Sequence, residues 1–235
     1  MQSREVDYEA SGLVMRGRLA IPEGEGPFPA VLIAPEASGL DEFQASRADS
    51  FCELGYVAFA LDYYGGGRFL SDQGEMSREL EALGSDPDVI RARVRSAFEV
   101  LLAEPSVDRS RIAAVGYCFG ETVVMELART GVDIKAVVGF HPGLNILRPG
   151  ESRNIRGKVL MFVGADDPIV PLEQRVAFEE EMRAAGRHWQ MIVYGGVQHS
   201  FTNPRNTTGA LGLKFDQVAT DRSWRAMREL LAETF

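Results

Sequence analysis

Cysteine is scarce in the sequence: only Cys52 and Cys118 occur among 235 residues. Two cysteines this far apart do not form the framework of a disulfide-stapled scaffold. No Cys-x-x-Cys pair and no Cys/His cluster indicates a structural zinc site, and we expect neither a metal nor another cofactor. We expect a cytoplasmic location, where the reducing environment would keep both thiols free.

Positive charge is also in short supply. Lysine and arginine together number 25 against 34 aspartates and glutamates, which leaves a formal net charge of −9. Nucleic-acid binding needs a basic surface, so we expect no nucleic-acid partner. The first eight residues carry no apolar core of a signal peptide, and no apolar run reaches membrane-spanning length. We therefore expect no membrane association.

The sequence does contain an alternation of strand-like and helix-like segments. Short apolar runs typical of buried strands occur at residues 30–35, 56–61, 111–115, 135–140, 158–164 and 189–194. Helix-like segments follow at residues 43–54, 88–103, 121–129, 171–185 and about 216–233. This alternation predicts an α/β fold, in which helices flank a mostly parallel sheet of about eight strands.

The N-terminal segment departs from this alternation. Residues 4–10 and 13–21 flank Ser11 and Gly12 and predict a hairpin that forms an antiparallel edge of the sheet. We find no linker and no internal repeat, so we expect one domain over residues 1–235. Residues 62–74, which include three consecutive glycines, are predicted to be the loosest segment, and residues 64–74 are a candidate lid over a pocket.

The sequence Gly116-Tyr-Cys-Phe-Gly120 lies between a strand-like and a helix-like segment. A strand that ends in a Gly-x-nucleophile-x-Gly turn and leads into a helix is a nucleophile elbow. The tight turn strains the backbone of the central residue and exposes its side chain at the edge of the sheet. Here that residue is Cys118. The alternative is that Cys118 is simply a buried cysteine at a strand–helix junction. Residues elsewhere in the chain distinguish a nucleophile from a buried cysteine.

Two residues downstream are suited to assist the thiol. Ligands gather at the carboxyl ends of parallel strands, and elbow hydrolases place nucleophile, acid and histidine in that chain order. Asp167 follows one predicted strand, and we favour it over Asp166 because it directly precedes Pro168. His199 is the histidine that comes after it and follows a strand.

The other two histidines receive structural interpretations. His188 precedes its strand and therefore lies at the wrong edge of the sheet. His141 follows a strand, at the correct edge, but it comes before the acid in the chain; we favour a structural role and leave a pocket-lining role open. Cys52 falls among apolar helix positions and is assigned to the core.

The predicted roles follow from the chemistry of these groups. His199 would take the thiol proton, and Asp167 would fix the imidazole tautomer and stabilise imidazolium. The helix that begins at Phe119 would stabilise a thiolate through its positive end, and the Phe119 N–H would be one oxyanion donor. Ala37 N–H, in the turn after the first buried strand, is the candidate second donor.

The same turn carries Glu36, an unexpected carboxylate at the carboxyl end of a predicted central strand. A functional interpretation makes it an acid/base group that controls when the thiol ionises. The structural alternative is a salt bridge to an arginine.

These motifs, from Glu36 after Val31–Pro35 through Gly116–Gly120 and Gly164–Asp167 to Gln198–Phe201, resemble the dienelactone hydrolase family of α/β-hydrolases. The resemblance extends from about residue 4 to the C-terminus. It implies an α/β-hydrolase fold and hydrolysis of a small lactone or activated ester through an acyl-cysteine. It also implies that Cys118, His199 and Asp167 form the triad, and that Glu36 accepts the thiol proton once substrate binds.

The substrate-binding positions depart from the family pattern. The resemblance implies two arginines that hold a substrate carboxylate, but one of these positions is Asn203 and the other lies in the Tyr63–Gly67 segment. Arg68 and Arg205 lie nearby, displaced by about two residues. A neutral or differently charged ester or lactone is therefore at least as good a candidate as dienelactone itself. Candidate substrate-binding residues are Tyr64, Arg68, Phe201 and Asn203.

Two further functions remain open at this point. The fold could serve as a non-enzymatic binding or redox-sensing protein with a reactive Cys118. It could also be a thioesterase or peptidase of the same fold. The sequence favours the small-molecule hydrolase, because a binding module has no need for a base and an orienting acid. We expect a monomer or small homo-oligomer.

Overall fold

A computed structural model describes all 235 residues of the chain. Eight strands are present: β1 (Gln2–Ala10), β2 (Leu13–Ile21), β3 (Phe28–Ala34), β4 (Val57–Ala60), β5 (Val107–Tyr117), β6 (Ala136–Phe140), β7 (Lys158–Gly164) and β8 (Trp189–Tyr194). Six α-helices alternate with them: α1 (Glu42–Glu53), α2 (Gln73–Ser85), α3 (Pro87–Ala103), α4 (Phe119–Arg129), α5 (Leu172–Ala184) and α6 (Gln217–Thr234). Two short 3₁₀ helices cover Glu151–Asn154 and Ala210–Gly212.

The strands form one eight-stranded sheet in the order β1-β2-β4-β3-β5-β6-β7-β8. The predicted edge hairpin is confirmed: β1 and β2 pair antiparallel, and β2 pairs antiparallel with β4. Ser11 and Gly12, which join β1 to β2, have φ angles of 51° and 74°. Two left-handed residues in a two-residue turn match the right-handed twist of the strands they connect. The predicted mostly parallel α/β sheet is also confirmed.

The chain divides into two compact units, Met1–Val115 and Gly116–Phe235. In the first unit, β4 and most of β3 are buried on both faces, and the two strands pair in parallel. This burial explains their unbroken apolar sequences. Helix α1 contacts β2, β3 and β4, and α3 contacts β1, β3 and β4. The prediction of one domain over residues 1–235 stays a prediction.

The second unit is built on three neighbouring parallel strands. In their register, Phe140 of β6 pairs with Phe162 of β7, and Gly164 of β7 pairs with Tyr194 of β8. Helices α4 and α6 both contact β6. Because the strands are parallel and in register, the segments that follow β6, β7 and β8 leave from the same edge. Those segments carry His141, Asp167 and His199.

Aspartate side chains cap four of the six helices. Asp41, Asp72, Asp86 and Asp216 accept hydrogen bonds from backbone N–H groups in the first turns of α1, α2, α3 and α6. Such caps satisfy N–H groups that the helix leaves unpaired. Helix α4 follows Cys118 and has no side-chain cap. None of the helices has the length and apolar character needed to cross a membrane.

The segment expected to be loosest is anchored at its start by the buried Asp62. Its carboxylate accepts hydrogen bonds from the backbone N–H groups of Arg16, Tyr64, Gly65 and Gly67, at 2.8 to 3.1 Å. The segment then leads into α2, which the sequence patterns did not predict. Helix α2 buries only Leu83 along its length, so its sequence carries no clear apolar stripe.

A fully buried arginine ties α4 to α5. The Arg129 guanidinium lies 2.9 Å from the Glu126 carboxylate and 3.3 Å from that of Glu181. Its Nε also donates to the Ser152 hydroxyl at 3.1 Å, and Ser152 donates to Glu181 at 2.8 Å. Burial of charge is costly unless partners satisfy it, and here every charged group has one.

Candidate active site

Cys118 lies at the junction of β5 and α4 with φ 54° and ψ −121°. A positive φ is unusual for a residue with a side chain and persists only where the surrounding structure enforces it. The turn is tight: a Cβ on Gly116 would come within 2.3 Å of the backbone nitrogen of Glu121. Glycine is therefore required at position 116. This geometry is that of the nucleophile elbow.

Hydrogen bonds from three segments fix the backbone of Cys118. Its N–H donates to the carbonyl of Phe140, at the end of β6, over 3.1 Å. Its carbonyl accepts from the N–H of Glu121 at 3.1 Å and from the N–H of Gly143 at 3.2 Å. The thiol is half-buried, whereas Cys52 is buried within α1. The cysteine of the elbow therefore has a fixed backbone and a partly accessible sulfur.

Asp167 lies in the turn after β7 and its side chain is fully buried. One carboxylate oxygen, Oδ1, accepts from the N–H groups of Ile169 and Val170 at 2.8 and 3.2 Å. The other, Oδ2, lies 2.6 Å from Nδ1 of His199. The neighbouring Asp166 is exposed. The structure thus joins Asp167, not Asp166, to the histidine.

His199 is held by its backbone as well as by its ring. Its N–H donates to the carbonyl of Gly212, and its carbonyl accepts from the N–H of Lys214, both over 3.0 Å. The side chain is 1% exposed. Its Nε2, on the far side of the ring from Asp167, is buried, and the Cys118 side chain interacts with the ring through its charge and a hydrogen bond. This nitrogen is therefore the one that can exchange a proton with the thiol or with a bound substrate.

The electrostatics of the site favour a protonated imidazole. Burial lowers the pKa of His199, but the charge of Cys118 and the hydrogen bond to Asp167 outweigh it and raise this pKa to about 10. An imidazolium at His199 would stabilise negative charge that develops on the Cys118 sulfur. The arrangement can therefore supply a sulfur nucleophile together with a proton donor for a leaving group.

His141, whose role the sequence left open, lies within this cluster and is fully buried. Its ring packs edge-on against the ring of His199, with 5.2 Å between centroids, and equally close to the ring of Phe201. Its Nε2 is hydrogen-bonded to the hydroxyl of Thr202 at 2.8 Å. The third histidine, His188, is exposed.

Glu36 and Ala37, both in the first unit, follow β3 as the sequence predicts. The Glu36 side chain is 10% exposed, and its carboxylate lies 3.4 Å from the guanidinium of Arg47 in α1. Its backbone carbonyl accepts from the hydroxyl of Tyr63, and that of Ala37 accepts from the hydroxyl of Tyr64 at 2.7 Å. The arginine partner considered for Glu36 is thus present, and two tyrosines fix the turn.

The four predicted substrate-binding residues occupy different environments. Tyr64 is buried, and the guanidinium carbon of Arg68 lies 5.9 Å from the centroid of its ring. The Arg68 guanidinium is 2.6 Å from the carboxylate of Glu79 in α2. Phe201 is fully buried against other rings, and the side-chain oxygen of Asn203 accepts from the N–H of Arg205 at 3.1 Å.

One buried group in this region was not identified from the sequence. Glu121 directly follows the glycine that closes the elbow, and its carboxyl group is buried without an ion-pair contact. The helical pattern of α4 hid it, because a glutamate in a first helical turn is ordinarily a solvated, dipole-stabilising residue. Its burial could have been suspected only from the apolar residues on every side of α4.

A nucleophile elbow on a mostly parallel eight-stranded sheet, followed in chain order by an acid and a histidine after later strands, defines the α/β-hydrolase class. The sequence model of the dienelactone hydrolase family matches residues 15–235. The chain belongs to that family.

Individual relatives agree with this assignment. The solved structure named m3DLH is 39% identical over the whole of this chain and 98% of its own, with a TM-score of 0.94. A dienelactone hydrolase-like promiscuous phosphotriesterase, P91 from metagenomic libraries, is 38% identical with the same coverage and a TM-score of 0.95. A candidate carboxymethylenebutenolidase from Aquifex aeolicus is 26% identical over 85% of this chain and 87% of its own. The family and these names support a hydrolase that acts on lactones or esters.

Proposed function

We propose that the protein hydrolyses a small lactone or activated carboxylic ester through an acyl-cysteine intermediate. The observation that carries the proposal is the elbow cysteine together with a histidine that is bound to Asp167 on one side and interacts with the Cys118 side chain. Cys118 is the nucleophile, His199 the acid and base, and Asp167 the group that orients the imidazole.

In the first half of the reaction the Cys118 thiolate attacks the carbonyl carbon, and a C–S bond forms. The carbonyl electrons move to oxygen, where the N–H of Phe119 at the start of α4 donates to the oxyanion. Ala37 N–H is the proposed second donor. When the tetrahedral intermediate collapses, the ester C–O bond breaks and His199 gives its proton to the departing alkoxide.

In the second half water attacks the acyl-cysteine. His199, now neutral, takes a proton from that water as the new C–O bond forms. The C–S bond then breaks, the carboxylic acid leaves, and the thiolate–imidazolium pair is restored. For a lactone the alcohol and the acid are two ends of one product molecule. Glu36 is proposed to accept the thiol proton when substrate binds, and so to control when the Cys118 thiol ionises.

The environment of Arg68 favours a neutral substrate. Its guanidinium already pairs with Glu79 at 2.6 Å and approaches Glu75 at 3.7 Å. Binding of a substrate carboxylate would have to compete with these two carboxylates. Asn203 brings no positive charge to the other expected position. We therefore propose an uncharged lactone or ester rather than a dienelactone carboxylate.

The test is a profile of wild type, Cys118→Ala and Cys52→Ala against short p-nitrophenyl esters, δ-valerolactone and dihydrocoumarin. We expect turnover in wild type and in Cys52→Ala, and none above background in Cys118→Ala. Rapid acid quench followed by mass spectrometry should find the acyl group on the peptide that contains Cys118. Full activity in Cys118→Ala would overturn the proposal.

A second candidate activity is phosphotriester hydrolysis, which the 38% identity to P91 over the whole chain favours. The same thiolate would attack phosphorus, forming a P–S bond as the P–O bond to a stable phenolate breaks, and water would then displace the thiolate from phosphorus. Paraoxon belongs in the substrate panel for this reason. Turnover of paraoxon that Cys118→Ala abolishes would support this activity, and its absence would restrict the site to carbonyl substrates.

The panel also separates the remaining alternatives. A thioesterase or peptidase would prefer acyl-thioesters or peptides over the oxygen esters. A binding or redox-sensing protein would show stoichiometric labelling of Cys118 without turnover of any substrate.

A further inference from the structure

The buried carboxyl group of Glu121 takes no part in the proposed reaction. Glu121 lies in the first turn of α4, three residues after Cys118, and is 1% exposed. A carboxyl group without water around it is costly unless other groups satisfy it. The contacts that satisfy this one therefore indicate what it does.

The carboxyl group of Glu121 holds the loop formed by residues 141–145, which follows β6. Its Oε2 accepts from the backbone N–H of Leu144 at 3.1 Å and lies 3.5 Å from the hydroxyl of Thr122. The side chain also crosses β6 closely, since a Cβ on Gly139 would come within 2.8 Å of its Cγ. Glu121 thus connects the elbow helix to this loop.

The loop needs such an anchor. Leu144 has φ 51° and His141 has φ 39°, which are unfavourable conformations for residues with side chains. A backbone in this region persists only when contacts enforce it. A second tie, neutral in charge, runs from the side-chain amide of Asn145 to the Thr122 hydroxyl at 3.0 Å.

The same loop contacts both proposed catalytic groups. Its Gly143 N–H donates to the carbonyl of Cys118 at 3.2 Å, and its His141 ring packs against the ring of His199. A shift of the loop would therefore change the elbow backbone and the position of the imidazole together.

We propose that Glu121 is a positioning residue, whose carboxylate clasps residues 141–145 to the elbow helix and so sets the relative placement of Cys118 and His199. This proposal rests on the proposed function for its catalytic consequence, but the placement itself can be tested without turnover.

The clasp is sensitive to protonation. Burial raises the pKa of Glu121 to about 7, against the opposing effects of the Arg129 charge and the Leu144 hydrogen bond. The charged groups that act on it are Arg129 and Glu126, both on α4. Arg129 in turn pairs with Glu181 of α5, and the loop that Glu121 holds begins at His141. A carboxylate accepts more strongly than a carboxylic acid, so deprotonation tightens the clasp.

The test compares wild type with Glu121→Gln, in which a neutral amide of the same shape mimics the protonated carboxyl group. Asn145→Ala is the matched control, because it removes the neutral tie between the loop and the Thr122 hydroxyl and leaves both contacts of the Glu121 carboxyl group in place. The first readout is the rate of Cys118 alkylation by iodoacetamide between about pH 5.5 and 8.5. The second is kcat and KM for p-nitrophenyl acetate over the same range.

We expect the ratio of the wild-type to the Glu121→Gln alkylation rate to be near one at low pH. It should rise through about pH 7 to roughly tenfold, the size expected for loss of a charged hydrogen bond. The ratio of wild type to Asn145→Ala should not change with pH. In turnover, the ratio of the wild-type to the Glu121→Gln kcat should rise over the same pH range, while the KM values of the two proteins stay within about twofold of each other.

Two results would overturn the proposal. A wild-type to Glu121→Gln ratio that stays constant with pH would make Glu121 a purely structural residue. A ratio that falls at high pH would show that its charge only repels the thiolate. Because alkylation needs no substrate, a protein with no esterase activity but a pH-dependent ratio would retain the clasp and reject the proposed function.

Discussion

The ring of His141 lies edge-on against the ring of His199, with 5.2 Å between their centroids. Both side chains are buried, and Thr202 fixes the His141 ring through a 2.8 Å hydrogen bond to Nε2. The imidazole proposed as base is thus held by Asp167 along its edge and by a second aromatic ring beside it. His141 was expected to be structural. Its contact with the His199 ring indicates that its structural role is to hold the His199 imidazole in place.

Replacement of His141 should therefore affect catalysis through packing. His141→Phe keeps an aromatic ring against His199, and we expect kcat within about fivefold of wild type. His141→Ala leaves a cavity beside the imidazole, and we expect a loss of about 10²-fold in kcat, since small displacements of catalytic groups are costly. Steady-state kinetics on a short ester would show whether His141→Ala loses more kcat than His141→Phe. An equal loss in both variants would contradict the proposed packing role.

Asp167 and Asp166 provide a matched pair. Asp167→Asn removes the acceptor that fixes the Nδ1–H tautomer, and a loss of about 10²- to 10⁴-fold in kcat/KM is expected. Asp166→Asn changes the exposed neighbour and should stay within about twofold. Both variants should fold, which circular dichroism would check. A larger effect in Asp166→Asn would mean that the acid has been assigned to the wrong residue.

The raised pKa of His199 predicts the pH dependence of the reaction. Because the folded pKa of about 10 lies above the ordinary value of 6.5, the imidazolium persists through neutral pH. We expect kcat/KM to stay high there and to fall as pH rises through about 10. The stability that the charged imidazole contributes is present below 6.5 and is lost over the same rise.

A pH–rate profile on a stable ester between about pH 6 and 11 measures the alkaline limb. In Asp167→Asn, where one source of the raised pKa is removed, the limb should move to lower pH. An unchanged limb in that variant would exclude His199 as its origin.

Glu36 can be tested through the acylation step alone. If its carboxylate takes the thiol proton, Glu36→Gln should slow the pre-steady-state burst by about tenfold or more and leave deacylation unchanged. Glu42→Gln, at an exposed carboxylate of α1, is the control for general charge effects. If Glu36 only pairs with Arg47, its replacement would lower the melting temperature without changing the burst.

Much of the fold could be predicted because its elements have regular patterns. Strands β7 and β8 were located at their observed bounds, since strands buried on both faces form unbroken apolar runs. Helix α2 was missed because a helix that buries a single leucine has no apolar stripe to detect.

At the site, chain order and the position after each strand were enough to suggest Cys118, Asp167 and His199. The sequence could not reveal the packing of His141 on His199 or the burial of Glu121. Both depend on how the loop after β6 folds back, and its left-handed residues Leu144 and His141 have no sequence signal. Contacts between segments distant in sequence decide such details.

The buried carboxyl group of Glu121 should have a measurable effect on stability. Burial raises its pKa from 4.5 to about 7, so the folded state holds the proton more tightly than the unfolded state. The stabilisation of the protonated form is complete below about 4.5 and is lost as pH rises through about 7. Between these two pH limits, the contribution of Glu121 to the free energy of unfolding changes by ~3 kcal/mol.

Glu121→Gln cannot lose a proton and should not show this decline. We therefore expect wild type to lose ~3 kcal/mol relative to Glu121→Gln between about pH 5 and 8.5, measured by urea unfolding at each pH. Glu233→Gln, at an exposed carboxylate of α6, should follow wild type. Parallel curves for wild type and Glu121→Gln would mean that the carboxyl group is ionised at no cost. If the difference in unfolding free energy and the alkylation ratio both change near pH 7, both changes come from the titration of Glu121. Ionisation of Glu121 would then lower the stability of the whole fold while it strengthens the hydrogen bond that holds residues 141–145. Such a loss of stability in exchange for activity is expected of a functional group.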